Sequence, residues 1–330
     1  MCPSSTCRPS GGSGLLAGFL ISFTGAILFS TKAIIIKKAF QTTSVDALTL
    51  LSLRMLFSLP FYALAAVWSF RRSTTRMTRR QWMWVVILGI LGYHLSSYFD
   101  FVGLQYISAG LERLILFLYP SFAVLINALA FRQRISRAQI WALLLTYAGI
   151  GIAYFGELKI DTGNAHFYWG SFLVFLCAVT YAFYLAGMGR IVSVLEPSKF
   201  TTYSMLVAVG SLFLHFAVRG WTSGNFHVPA AAGNLWTYGI LLALLATVIP
   251  SFMLSEGMKR IGANNAAIVT SVGPVSTILQ AHFVLGDPIF IEQVVGTLLV
   301  IGGVLLTGLQ KKSVISPARR NCQWPCRFRQ

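Results

Sequence analysis

Apolar runs of about 20 residues, the helix length that crosses a hydrocarbon core of about 30 Å, recur down the whole chain with short polar stretches between them. The pattern predicts ten spans, at residues 15–36, 45–69, 82–105, 107–130, 138–156, 168–189, 198–219, 234–255, 263–285 and 289–309. A helix of this length in a soluble protein carries a polar face, and these segments have almost none. Several spans contain proline, including Pro60, Pro120, Pro250 and Pro274. In lipid such residues are tolerated where neighbouring helices or polar side chains re-satisfy the freed backbone groups. The first run is too long for the apolar part of a signal peptide and lacks a small-residue cleavage site, so it is expected to remain as a first helix.

Composition agrees. Of 330 residues, 56% are hydrophobic and 11% charged, against about 25% charged in soluble domains. Lys and Arg are distributed unevenly between the two sides that the spans define. With a cytoplasmic N-terminus, 19 of the 26 fall in cytoplasmic segments and four (Lys37, Lys38, Lys159 and Arg219) on the other side, with Lys32, Arg54 and Arg113 inside spans. The positive-inside rule then places both termini in the cytoplasm, which requires an even number of crossings. The expected location is the cell (plasma or inner) membrane. The net charge of +17 is accounted for by basic loops facing anionic lipid, and no nucleic-acid partner is expected. Trp82, Trp84, Trp141, Trp169 and Trp236 sit near predicted span ends, as an interfacial belt requires.

Displaced by 154 residues, the chain matches itself. The segment from Ile107 to Gly149 aligns without a gap on Ile261 to Gly303, pairing Ala109 with Ala263, Pro120 with Pro274, Gln139 with Gln293 and Gly149 with Gly303. Five spans per half is an odd number, so the second half enters the membrane from the opposite side. The expected fold is therefore all-α, ten transmembrane helices in two inverted five-helix repeats, an arrangement found in secondary transporters that alternate access around a midplane site. The corresponding division is an N-terminal tail 1–14, a first repeat 15–156, an external linker 157–167, a second repeat 168–309 and a basic tail 310–330.

This plan, with its paired segment running from a small-residue turn through a proline to a glycine-ended helix, resembles the EamA-like branch of the drug/metabolite transporter superfamily over about residues 15–310. The resemblance implies proton- or gradient-linked movement of amino acids, other small metabolites or drugs, often outward. It also implies a Glu in the short loop after each proline-bearing helix. Here those loops hold Gln133 and Asp287.

Ionisable groups inside spans are costly and mark functional sites by default. Lys32, Arg54, Asp100, Glu112 and Arg113 all fall in the outer half of the first repeat, three basic against two acidic, and the second repeat has no charged residue at comparable depth. Arg54 lies about 13 Å into its helix at 1.5 Å per residue, and its guanidinium keeps its proton. It is expected to face the bundle interior and meet a carboxylate, backbone carbonyls, water or the anionic part of a solute, with Glu112 or Asp100 as its nearest acid and the excess positive charge left for a carboxylate-bearing solute. Each candidate has a structural alternative: Lys32 could snorkel to the surface, Arg113 could pair with Asp100 or Glu112, and Arg54 could serve a structural ion pair. Ser22, Gly25, Phe29 and Lys32 form one stripe on the first helix. His94 is either a packed residue or a proton relay, and Tyr119, with Tyr93, Tyr98 and Phe117, is either core or cavity wall. Pro120 and Pro274 are expected to kink equivalent helices beside a central cavity. Asn264 and Asn265 open the ninth span as caps or lining residues.

Of five cysteines, Cys2, Cys7, Cys322 and Cys326 lie in tails expected to be cytoplasmic, where structural disulfides are rare, and Cys177 lies within a span. No metal, cofactor or catalytic residue is expected. HExxH, GxxxxGK[ST] and GxSxG motifs are absent from the sequence. The expected activity is secondary transport of small polar metabolites, amino-acid-like or organic-acid solutes, with protons as candidate coupling partners and a monomeric or homodimeric state. The alternative of another class is a membrane-embedded enzyme acting on a lipid or prenyl substrate, which would need paired acids or metal ligands in one pocket.

Overall fold

The computed structural model describes residues 12–72, 77–131, 136–160, 165–191, 197–223 and 233–314, which form helices and turns with no strand among them. Gln133 and the four tail cysteines lie outside the described residues, as do the side chains of Asn264 and Asn265. The chain begins with α1 (Gly12–Thr42) and α2 (Ala47–Arg72). A continuous rod follows, made of α3 (Arg79–Gly89), a π-helical segment Ile90–Leu95 and α4 (Ser96–Gly103). Then come α5 (Ala109–Leu116), α6 (Tyr119–Phe131) and α7 (Arg137–Ile160). The second half has α8 (Phe167–Ile191) and α9 (Pro197–Ser223), then α10 (Gly233–Ala243), a π-helical segment Leu244–Val248 and α11 (Ile249–Thr270). It closes with α12 (Gly273–Gln280), a third π-helical segment Ala281–Leu285, and α13 (Ile291–Val314).

Polarity is arranged inside out. Leu16, Leu64, Trp68, Leu129, Trp141, Phe155 and Phe283 are exposed, whereas Lys32, Arg54, Asp100, Glu112 and Arg113 are buried. That inversion fits a lipid solvent, which apolar side chains can face without cost. Eight helical stretches, from Leu16–Thr42 to Asn234–Met258, are long and apolar enough to cross a membrane, and Ile291–Leu306 is a shorter apolar helix. The protein is a multi-pass membrane protein. Helix starts are fixed by polar caps. Thr78 and Gln81 satisfy each other's backbone N–H at α3, and Ser136 and Gln139 do the same at α7, which is the capping-box arrangement.

The two halves deviate from regular helix at equivalent places. The first π-helical segment starts at Ile90 and the second at Leu244, 154 residues apart. The breaks before α6 and α12, at Phe117–Leu118 and Ser271–Val272, keep the same spacing. Each break is followed by the paired proline, Pro120 or Pro274, at the second position of the resumed helix. The prolines therefore do not kink uninterrupted helices, as the sequence suggested. They begin helices after a break, where a missing N–H costs nothing because no intrahelical acceptor stands there.

Antiparallel packing of α7 on α13 closes the two halves on each other. Gly149 approaches the Gly296 carbonyl so closely that a β-carbon would lie 2.5 Å from it, and one on Gly303 would lie 2.6 Å from the Ala142 carbonyl. Displacement by 154 turns Gly149 into Gly303 and Ala142 into Gly296, so the two contacts exchange under the repeat. That exchange is what a two-fold relation between inverted copies demands. Small residues let the backbones meet where lipid provides no hydrophobic drive between helices.

The contacts along α1 also show a reversal that helix assignment alone conceals. Gly25 meets Met253, and Gly18 meets Arg260 and Ile261, so this stretch runs antiparallel to α1. Yet Gly273 is back beside Ser30, whose hydroxyl donates to its carbonyl at 3.2 Å. Twelve residues of α1 separate Gly18 from Ser30, about 18 Å of rise. The helical run Ile249–Thr270 therefore doubles back after Arg260, as the chain does in the first repeat between Gly103 and Ala109.

Candidate functional site

Three of the sequence-derived candidates meet in one ion-pair cluster, and a fourth lies beside it. Lys32 turns inward instead of snorkelling, and its Nζ lies 2.6 Å from Asp100 Oδ2 on α4 and 3.8 Å from Glu112 Oε1 on α5. Arg113, the next residue on α5, does not join the carboxylates. Its Nη2 donates to Ser30 Oγ at 3.3 Å, and its guanidinium lies over Phe29 and Phe117 at 5.2 and 5.9 Å. Ser30 in turn donates to Gly273 O, so Arg113 of the first repeat reaches the resumed helix that carries Pro274 in the second. The α1 stripe divides by depth. Gly25 packs against Met253 and Ser22 against Gly257, while Phe29 and Lys32 face the charged cluster.

The anchoring of α5 explains how this cluster is held. Ser108 caps the helix by accepting from Leu111 N–H at 3.0 Å. Glu157 on α7 accepts from the Ser108 hydroxyl at 2.8 Å and from its backbone N–H at 3.2 Å. Glu112 and Arg113 are thus fixed one turn into a short helix whose start is tied to a neighbouring helix.

Arg54 is buried, 6% exposed, and of the two acids expected nearest to it Asp100 is the one whose charge acts on it, without contact. No carboxylate lies within ion-pair distance of it among the described residues. Its Nε donates to Thr247 Oγ1 at 2.8 Å, and its guanidinium lies 5.5 Å from the Phe101 ring centroid. Thr247 is free to accept because its own hydroxyl donates to Leu242 O, five residues back, a spacing that the widened π turn provides. The second repeat contributes to the site a hydroxyl rather than a charge, which a search for ionisable residues misses. The pointer in the sequence is the 154-residue displacement, which carries Tyr93, beside His94, onto Thr247.

His94, one residue past the position that matches Thr247, lies in the first repeat's π-helical segment. Its Nδ1 is 2.8 Å from Ser211 Oγ and its Nε2 3.2 Å from His215 Nδ1, both on α9. Ser211 donates to Ala208 O, so its oxygen accepts from His94 Nδ1–H, and the Nε2 of a neutral His94 accepts from His215. The π-helical segments Ile90–Leu95 and Leu244–Val248 thus each meet the second helix of the opposite repeat, through His94 and Ser211 or through Thr247 and Arg54. Tyr119, beside Pro120, packs edge-on against Tyr181. Tyr181 stacks on Tyr184, whose hydroxyl is 3.0 Å from that of Tyr93. Pro120 also borders a cleft with Gln139, Thr146 and Gly303 between α6, α7 and α13, and Pro274 is buried. The repeat-paired glutamines diverge, Gln139 capping α7 and Gln293 abutting Gly110 on α5.

Among the described residues, no group of three or more His, Cys, Asp or Glu side chains could hold a metal ion. The site is a desolvated cluster of two carboxylates and three cations with hydroxyl and aromatic neighbours. None of the five charged residues is more than 7% exposed, so this conformation closes them off.

Known proteins place this architecture. The chain is 29% identical over 303 residues to the uncharacterised transporter YcbK of Bacillus subtilis strain 168, covering 90% of this chain and 94% of the relative. It is 21% identical over 298 residues to the uncharacterised inner membrane transporter YicL of Salmonella typhimurium strain LT2, covering 89% and 96%. A solved crystal structure shares the fold at a TM-score of 0.61 and 20% identity, covering 91% of this chain and 99% of that one. The model of the EamA-like transporter family matches residues 16–155 and again 168–309. With both halves matched, the chain belongs to the EamA-like transporter family.

Proposed function

We propose that this membrane transporter is a secondary active carrier of small polar metabolites bearing a carboxylate, amino-acid-like or organic-acid solutes, working by alternating access between its two repeats. The supporting observation is Arg54. It is a permanent cation inside the bundle that donates, among the described residues, to a neutral hydroxyl across the repeat boundary, with no carboxylate in ion-pair contact. An unpaired charge there costs about 2.5–3.5 kcal/mol on insertion scales, and a solute carboxylate would offset it with two parallel hydrogen bonds. Ten crossings, cytoplasmic termini and a cell-membrane location complete the reading. The count is supported by the reversal after Arg260 and the orientation by the skew of Lys and Arg. The family membership and the transporter relatives favour transport over lipid-directed enzymology.

The test is a flux screen in reconstituted vesicles across amino acids, organic anions and cationic drugs, in both directions. Exchange of one or more carboxylate-bearing solutes is expected. Movement of cationic drugs alone, unchanged in Arg54→Gln, would overturn the substrate class.

A further inference from the structure

We propose that the facing carboxyls of Asp100 and Glu112 form a proton-carrying site with Lys32 as counter-charge, and that it couples a proton gradient to the transport proposed above, on which this inference rests. The two carboxyls share one ammonium, Lys32 Nζ standing 2.6 Å from Asp100 Oδ2 and 3.8 Å from Glu112 Oε1, and they are 1% and 0% exposed. If both were ionised, no hydrogen would lie between them. Asp100 Oδ1 and both oxygens of Glu112 then have no donor, a costly condition for buried acceptors. One proton removes most of the deficit. It bonds to a Glu112 oxygen, which then donates to Asp100, while Asp100 Oδ2 keeps its 2.6 Å contact with Lys32. No other covalent bond forms or breaks, and the proton leaves by the reverse step.

A proton suits this place better than a metal cation. The Lys32 ammonium already occupies the position between the carboxylates where a cation would bind. Among the described residues, the surrounding elements offer no competing acid or base at contact. On α5, Arg113 is directed to Ser30. On α2, Arg54 is directed to Thr247. On α8, the Cys177 thiol meets Ser96. On α7, Glu157 is held by Ser108. On α13, Glu292 lies beside Gly156, and α12 carries no charged residue. The repeat also argues for a specialised role: 154 residues on, Asp100, Glu112 and Arg113 become Leu254, Ala266 and Ala267, so the architecture does not need the charges.

The coupling follows from charge. Protonation adds one positive charge to a cluster that already holds three cations and two carboxylates, and so favours an anionic solute near Arg54. By linkage the solute favours the proton equally. Protonation also releases Lys32 from Glu112, and Lys32 belongs to α1, the helix seamed against Met253 and Arg260 of the second repeat.

Infrared difference spectroscopy of the purified protein in lipid, in H2O and D2O across the neutral pH range, reads the proton directly. Wild type should show a titrating, deuterium-sensitive band of a neutral carboxylic acid. The band should be lost in Glu112→Gln, shifted in frequency in Asp100→Asn, and unchanged in Glu256→Gln. Should Glu112→Gln fail to fold, the frequency shift in Asp100→Asn decides. A band that persists unchanged in Glu112→Gln or in Asp100→Asn, or no such band in wild type, would overturn the proposal. The readout needs no solute, so it fails separately from the transport reading: flux may be absent with the band intact, or present without it.

Discussion

Arg54 on α2 and Thr247 in the second repeat's π-helical segment are 193 residues apart in sequence and joined by a 2.8 Å hydrogen bond. The bond crosses from one repeat to the other, and a second crossing bond joins His94, next to the position that matches Thr247, to Ser211. The hydroxyl has no charge to give, so this bond holds Arg54 in place without neutralising it, and Asp100 acts on it only from beyond contact.

Replacing Arg54 with Gln should lower the initial rate of solute exchange by about 30-fold, the equivalent of a charge-assisted hydrogen bond of about 2 kcal/mol. The protein should remain inserted and monodisperse in detergent. Arg54→Lys should recover little, since an ammonium lacks the planar fork. Exchange assays beside size-exclusion profiles separate loss of transport from loss of fold, and wild-type rates in Arg54→Gln would remove Arg54 from the site.

The α7–α13 seam gives a stability test with its own control. Gly149→Ala would place a β-carbon 2.5 Å from the Gly296 carbonyl, whereas a β-carbon at Gly151 meets nothing within 4 Å. Gly149→Ala should destabilise the protein by about 1–3 kcal/mol through overpacking. Gly151→Ala, two residues along the same helix, should be neutral or stabilising by up to about 1 kcal/mol. Thermal unfolding in detergent reads both, and equal Tm values for the two variants would refute the close approach.

Topology is open to chemical labelling. In variants with the tail cysteines replaced, Thr75→Cys and Ile135→Cys should react with a membrane-impermeant maleimide only after the membrane is opened. Reaction at either position from outside intact cells would exclude cytoplasmic placement of those loops.

Asp287, in the turn between the third π-helical segment and α13, gives a pH signature. Burial raises its carboxyl above the usual range, with Lys37 acting in the opposite sense. A carboxyl with a raised folded-state value disfavours ionisation in the folded protein, so stability falls as pH rises from the unfolded-state range through the raised value. Asp287→Asn should therefore raise Tm at neutral pH, and the difference should vanish under acid conditions. A Tm difference independent of pH would assign the effect to the amide's own contacts.

Sequence alone determined that the chain spans a membrane, that it is built twice and that its ionisable residues cluster in one repeat. Those properties are local or periodic: hydrophobic length is set by the bilayer, and the 154-residue match by duplication. Proximity of Lys32, Asp100, Glu112 and Arg113 was legible too, because intramembrane charges have few places to go. What only the tertiary structure decided is which partner each charge takes. Lys32 reaches both carboxylates, Arg113 turns to Ser30, and Arg54 takes a hydroxyl from the other repeat. Those choices depend on helix rotation and on the extra residue that each π turn inserts, neither of which leaves a mark in hydrophobic pattern. The prolines show the same division. Their pairing was visible in sequence, but their place after a break rather than within a helix depends on backbone hydrogen bonds that only the folded chain makes.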